Sequence, residues 1–83
     1  MNIETLVRKY ILENFMYTDD QAQLTMDMSL IDNGIIDSTG ALELVAFIEE
    51  TFGVQVNDTE LVPSNFDSLG NLTLYIQHKL QNS

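Results

Sequence analysis

Two stretches of the chain set a hydroxyl beside a carboxylate at the start of a helical pattern: Asp37-Ser38 within GIIDSTG, and Asp67-Ser68 ahead of LGNLTLYI. A serine acts as a nucleophile when a base stands within hydrogen-bond reach and a further group orients that base. The only histidine is His78, flanked by Lys79 and read as a surface residue, and no GxSxG elbow is present. Hydrolase chemistry has no base to run on. A calcium loop needs oxygen ligands at alternating positions, glycine at the sixth and glutamate at the twelfth. Counted from Asp32, Glu43 does fall at the twelfth place, but Gly34, Ile36 and Asp37 occupy the third, fifth and sixth. No metal site follows. With no cysteine, the chain also lacks a disulfide framework, a thiolate nucleophile and a zinc site of the common kind. Taken alone, Asp37 and Ser38 read as a helix cap, worth about 1 kcal/mol.

The elements that must position these residues are helical. Ile3, Leu6, Val7, Tyr10, Ile11 and Phe15 fall on one stripe of an amphipathic helix over about residues 2 to 15. A polar stretch follows, YTDDQAQLTMDMSLIDNG, with apolar anchors Leu24, Met28, Leu30 and Ile31 and an Asn33-Gly34 turn at its end. A loop this long in so small a domain suggests function. The second helix is predicted from Ser38 to Phe52, stopped by Gly53. Asn57 with Glu60 predicts a cap for one short turn within 57–62, and Pro63 then breaks the chain. The last helix, about 67 to 80, carries Leu69, Leu72, Thr73, Ile76 and Leu80, with Asp67 and Ser68 as its cap. Strand-like alternation is absent. The fold class is all-α: a four-helix bundle of three longer helices and one short one, with residues 1–83 as a single domain.

A chain of 83 residues buries roughly 60% of its unfolded surface, enough for one thin core. Thirteen acids face three bases, a net charge of −10, and twelve of those acids lie between Tyr10 and His78, where no Lys or Arg occurs. Such a field repels nucleic acid and anionic membranes and attracts basic protein surfaces. No apolar run approaches bilayer length and MNIETLVRKY lacks a signal-peptide core, so the expectation is a cytoplasmic monomer without membrane insertion. On the second helix, Ala41, Leu44, Val45, Ile48 and Phe52 form the core stripe. Opposite them lie Thr39, Leu42, Glu43, Ala46, Glu49 and Glu50, acids around a modest apolar strip. A docking surface for a basic partner explains both components of that face.

The segment SLIDNGIIDSTGALELVAFIEETFGV, supported by VNDTELVPSNFDSLGNLTLYI downstream, resembles acyl carrier proteins and the related peptidyl and aminoacyl carrier domains across essentially the whole chain. The resemblance implies that Ser38, with Asp37 as its acidic neighbour, is esterified by 4′-phosphopantetheine drawn from coenzyme A by a separate magnesium-dependent phosphopantetheinyl transferase. It also implies a carrier that catalyses nothing itself. Its partners would be an acyl- or aminoacyl-loading ligase and downstream transferases or synthases, docking on the outer face of the second helix. The family's usual motif is Asp-Ser-Leu, and here position 39 is threonine. A literal Asp-Ser-Leu at Asp67-Ser68-Leu69 is rejected as the graft site, because it lacks the preceding loop and only fifteen residues follow Ser68. Thr39-Gly40 is more similar to stand-alone carriers for amino acids, including D-alanyl carriers.

The reading is therefore a discrete carrier holding an acyl or aminoacyl thioester on an arm at Ser38. Its rival is an acidic helical adaptor that binds a basic protein and bears no prosthetic group. A short or polar cargo is expected, since Phe47, at the edge of the core stripe, would fill the space a long acyl chain needs.

Overall fold

Asn2 starts the first helix, its Oδ1 accepting from Thr5 N–H at 3.0 Å, and α1 runs Ile3–Ile11. In this computed structural model, which describes residues 2–81, the remaining helices are α2 (Ser38–Phe52), α3 (Pro63–Phe66) and α4 (Leu69–Gln81). Among the described residues there is no strand, and no helix is long and apolar enough to cross a membrane. α4 touches each of the other three helices. The core gathers Val7 and Ile11 from α1, Leu44 and Ile48 from α2, Phe66 from α3, and Leu69, Leu72 and Ile76 from α4. Each such aliphatic side chain contributes about 1.5–3 kcal/mol by leaving water.

The predicted bundle is present, with local departures. α1 continues as a π-helical turn over Leu12–Met16 and ends at Tyr17, whose φ of 54° lies in the left-handed region. Leu12, which lies off the predicted stripe, is buried at the start of this turn, and Phe15 and Met16 within it are half-buried against the core. α2 has the predicted bounds and ends where Gly53 adopts φ 69°, a conformation that glycine reaches without strain. Pro63 starts α3 instead of merely interrupting the chain, because its missing N–H falls where a helix has no internal acceptor. α4 begins at Leu69, with Ser68 Oγ accepting from Asn71 N–H at 3.1 Å as its cap. Asp67 takes no part in that cap. Leu80 stays more than a third exposed, and Tyr75 supplies the buried ring on this helix instead.

Tyr75 can be buried because its hydroxyl has a partner. It donates to Glu60 Oε1 at 3.1 Å, while its ring lies 5.5 Å from that of Phe66. Glu60 closes a 3-10 turn, Asp58–Glu60, by accepting from Asn57 N–H at 3.0 Å, the predicted reciprocal cap. Lys79 Nζ completes the cluster at 3.0 Å. The Asn57 N–H and then the Lys79 ammonium hold the Glu60 carboxyl below its ordinary value, and burial with the Glu60 neighbour pushes the Tyr75 hydroxyl up.

A carboxyl lowered in the folded state stabilises fully above its ordinary pKa, and that contribution is lost as pH falls through the lowered value. Glu60→Gln should therefore melt below wild type at neutral pH, with the two midpoints converging in acid. A gap that stays constant into strong acid would mean that the carboxylate charge is irrelevant here.

Candidate functional site

The long connection between α1 and α2 is pinned at both of its ends. Near α1, the Arg8 guanidinium donates to the Gln21 carbonyl at 3.2 Å and to the Leu24 carbonyl, while its other edge pairs with Glu4 at 3.1 Å. Near α2, Asp67 accepts from Ser29 and Ile31, and Gly70 N–H donates to the Met26 carbonyl at 3.0 Å. Leu24 and Leu30, two of the predicted anchors, are fully buried, and Met28 is half-buried. Ile31, the fourth, remains 45% exposed.

The connection delivers Asp37 in extended conformation to the start of α2, where its Oδ1 accepts from Gly40 N–H at 2.7 Å. Asp37 is thus the cap, and Ser38 is the first helical residue. Ser38 is exposed, and no hydrogen bond among the described residues engages its hydroxyl. Beside it opens a cleft of about 300 Å³ between α2 and α3, walled by Ile31, Ile36, Ala41, Leu61, Val62 and Phe66, with Asp37 and Ser38 at its edge. A larger depression of about 430 Å³ near Tyr75 and His78 includes neither Asp37 nor Ser38. His78, on that far side, is exposed. Among the described residues, no cluster of three or more His, Cys, Asp or Glu could hold a metal ion.

The outer face of α2 leaves Thr39, Leu42, Glu43, Ala46 and Glu50 exposed, with Leu42 at 63%. Glu49 differs from the sequence reading. It is half-buried and accepts from Val56 N–H at 2.9 Å, bracing the chain that leaves α2. Burial, then the nearby Glu43 and Glu50, push the Tyr10 hydroxyl above its ordinary value.

Phe47 also differs. Its ring stacks on Tyr10 at 4.0 Å and meets Phe52 edge-on at 6.2 Å, so it fills the α1–α2 seam. The cleft beside Ser38 lies on the other side of α2 and Phe47 does not line it. Phe47, expected to limit cargo length, therefore does not set the size of this cleft. Phe66 and Val62, which sequence periodicity does not single out, form part of the cleft wall. Of the wall residues, the sequence singles out Ile31, an apolar anchor in a polar stretch, and Ala41, on the apolar stripe of α2.

A family profile described as a phosphopantetheine attachment site matches residues 6–76. An acyl carrier protein from Thermotoga maritima is 36% identical over 61 residues, 74% of this chain and 73% of its own length. A D-alanyl carrier protein from Abiotrophia defectiva is 27% identical over 75% of this chain and 78% of its own. Among solved structures, a holo acyl carrier protein from Nitrosomonas europaea matches with a TM-score of 0.80 and 28% identity, covering 98% of this chain and 99% of its own.

Gly40 answers to packing here, whatever its likeness to aminoacyl carriers. A Cβ at this position would meet Phe15 Cε1 at 3.0 Å and Asp37 Oδ1 at 3.3 Å. Alanine would gain about 1 kcal/mol of helix propensity and lose about 1–3 kcal/mol to overpacking. Gly40→Ala should therefore lower the thermal midpoint in the wild-type background and raise it in a Phe15→Ala background. The same sign in both backgrounds would remove Phe15 as the reason for the glycine.

Proposed function

Given that the chain belongs to the acyl carrier protein family, with its covalently attached phosphopantetheine, we propose that Ser38 is the attachment residue. The observation that carries this reading is the contrast between its two Asp-Ser pairs. The Ser38 hydroxyl is exposed and unengaged in the first turn of a fifteen-residue helix, whereas the Ser68 hydroxyl is half-buried and holds the start of α4.

The residues around Ser38 fit the group. A phosphodiester on its oxygen would lie at the N-terminal end of α2, where the helix dipole favours negative charge. Asp37 keeps that end capped, so that the hydroxyl stays at a fixed first-turn position. When bound, the group supplies a terminal thiol on which cargo rides as a thioester. Ile31, Val62 and Phe66 offer apolar surface beside it. At about 300 Å³ the cleft matches the small end of ligand sites, which supports a short acyl or aminoacyl cargo.

Delivery requires partner enzymes: a phosphopantetheinyl transferase, a loading ligase and the downstream transferase or synthase. Thr39, Leu42, Glu43, Ala46 and Glu50 form the docking face, with Glu49 supporting the fold behind them. Residues 1–83 act as one monomeric cytoplasmic domain.

Intact mass after incubation with coenzyme A and a broad-specificity transferase tests the assignment. One phosphopantetheinyl group should add to the wild type and to Ser68→Ala, and none to Ser38→Ala. An unchanged wild-type mass would favour an adaptor without a prosthetic group.

The docking face is tested by charge reversal. Glu43→Lys with Glu50→Lys should raise the transferase KM and reduce its salt dependence, since exposed charges are screened over about 8 Å at physiological ionic strength. Glu49→Lys should act mainly on stability. Kinetics that ignore the double reversal would reduce these acids to solubilising charge.

A further inference from the structure

Asp67 is half-buried at the junction of α3 and α4, yet its acceptors serve the connection between α1 and α2. Its Oδ1 accepts from the Ser29 hydroxyl at 2.7 Å and from Ile31 N–H at 3.1 Å. Its carbonyl accepts from Leu30 N–H at 2.6 Å. One residue thus holds three successive residues of a distant segment. From there the path to Ser38 is short. The Leu30 carbonyl accepts from Ile35 N–H at 2.9 Å and from Ile36 N–H at 3.1 Å, Ile36 is buried, and Asp37 caps α2. Ile31 and Ile36 are also two of the side chains walling the cleft beside Ser38.

Burial of Leu30 alone would fix how deep the segment sits, but apolar contact is not directional. Hydrogen bonds, by contrast, are directional, and two of them converge on the one Asp67 oxygen. They can fix which way the flanking residues face. We propose that Asp67 is a positioning residue for modification at Ser38. It orients the Ser29-Leu30-Ile31 segment, and through it the cleft wall and the lead into α2 that a modifying enzyme meets beside the hydroxyl. Asp67 acts only through this segment, since Ser38 is not among its hydrogen-bond partners. This inference rests on the reading of Ser38 as the attachment residue.

Three variants test it. Asp67→Ala removes the side-chain acceptor, Asp67→Asn keeps an oxygen in place to accept both bonds, and Ser29→Ala removes one donor while leaving the Ile31 contact. Transfer from coenzyme A would be followed at steady state, well below each variant's thermal midpoint. Amide exchange at Ile31, Ile35 and Ile36 would be read in parallel. Asp67→Ala should raise KM for the carrier about tenfold, equivalent to about 1.4 kcal/mol, with kcat little changed and exchange at the three amides faster. Asp67→Asn should restore both readouts, and Ser29→Ala should fall between.

A wild-type KM in Asp67→Ala would overturn the proposal, as would an Asp67→Asn variant as impaired as the alanine. If Asp67→Ala does not fold, unchanged KM and exchange in Ser29→Ala would overturn it equally. A wild type that takes no group, or takes it elsewhere than Ser38, defeats the attachment reading. Modification at Ser38 in wild type with indifferent variants defeats only the role of Asp67.

Discussion

Leu30 has no exposed surface, and its backbone is used as fully as its side chain. Its N–H is held by the Asp67 carbonyl, and its carbonyl receives two N–H groups from the residues that lead into α2. A connection as long as the one between α1 and α2 would ordinarily carry many backbone groups with only water as partner, and would move accordingly. Here its two buried leucines enter the core, and charged side chains from α1 and from the α3–α4 junction tie down the backbone at Gln21, Leu24 and Ile31. The exposed hydroxyl at the start of α2 inherits its position from that arrangement.

The shortage of bases sharpens the same design. Among the described residues the ion pairs are Arg8–Glu4 and Lys79–Glu60, both next to structural hydrogen bonds. Arg8 secures the connection, and Lys79 belongs to the cluster that holds the turn before α3. Neither cation neutralises the outer face of α2. Glu43 and Glu50 stand exposed there, and after burial they are what raises the Tyr10 hydroxyl on the neighbouring helix. Exposed acids of this kind add little to stability and some self-repulsion, but they speed encounter with a basic surface.

Periodic features were legible in the sequence. The spacing of Leu44, Ile48 and Phe52, with Gly53 beyond, suffices for α2, and Asn57 with Glu60 marks the turn ahead of α3. Both signals are local, carried by residues within one or two turns of each other. The functions of Asp67 and Glu49 were not legible. Asp67 bonds to Ile31 across 36 positions and to Ser29 across 38, and nothing in its neighbourhood announces such a partner. Glu49 looks like any other acid on a helix surface until the chain beyond Gly53 folds back to place Val56 N–H beside it. The place of Phe47 against Tyr10 and Phe52 is likewise a tertiary property. Helical spacing placed it at the edge of a stripe, but only tertiary structure decides which seam that edge adjoins.

The two Asp-Ser pairs show how a shift of one residue in a helix start redirects chemistry. A helix's first N–H groups need acceptors, and a polar side chain in the cap position is well placed to provide one. At α2 that residue is Asp37, so its carboxylate is used locally and Ser38 becomes the first residue of the helix, its hydroxyl unengaged. At α4 the helix starts one residue later relative to the pair. Ser68 occupies the cap, its hydroxyl is consumed by Asn71 N–H, and the carboxylate before it is released for other work. Asp67 uses that release to hold Ser29 and Ile31. The same dipeptide thus leaves an exposed, unengaged hydroxyl in one place and a clamp in the other. The clamp acts on the very segment that delivers the hydroxyl.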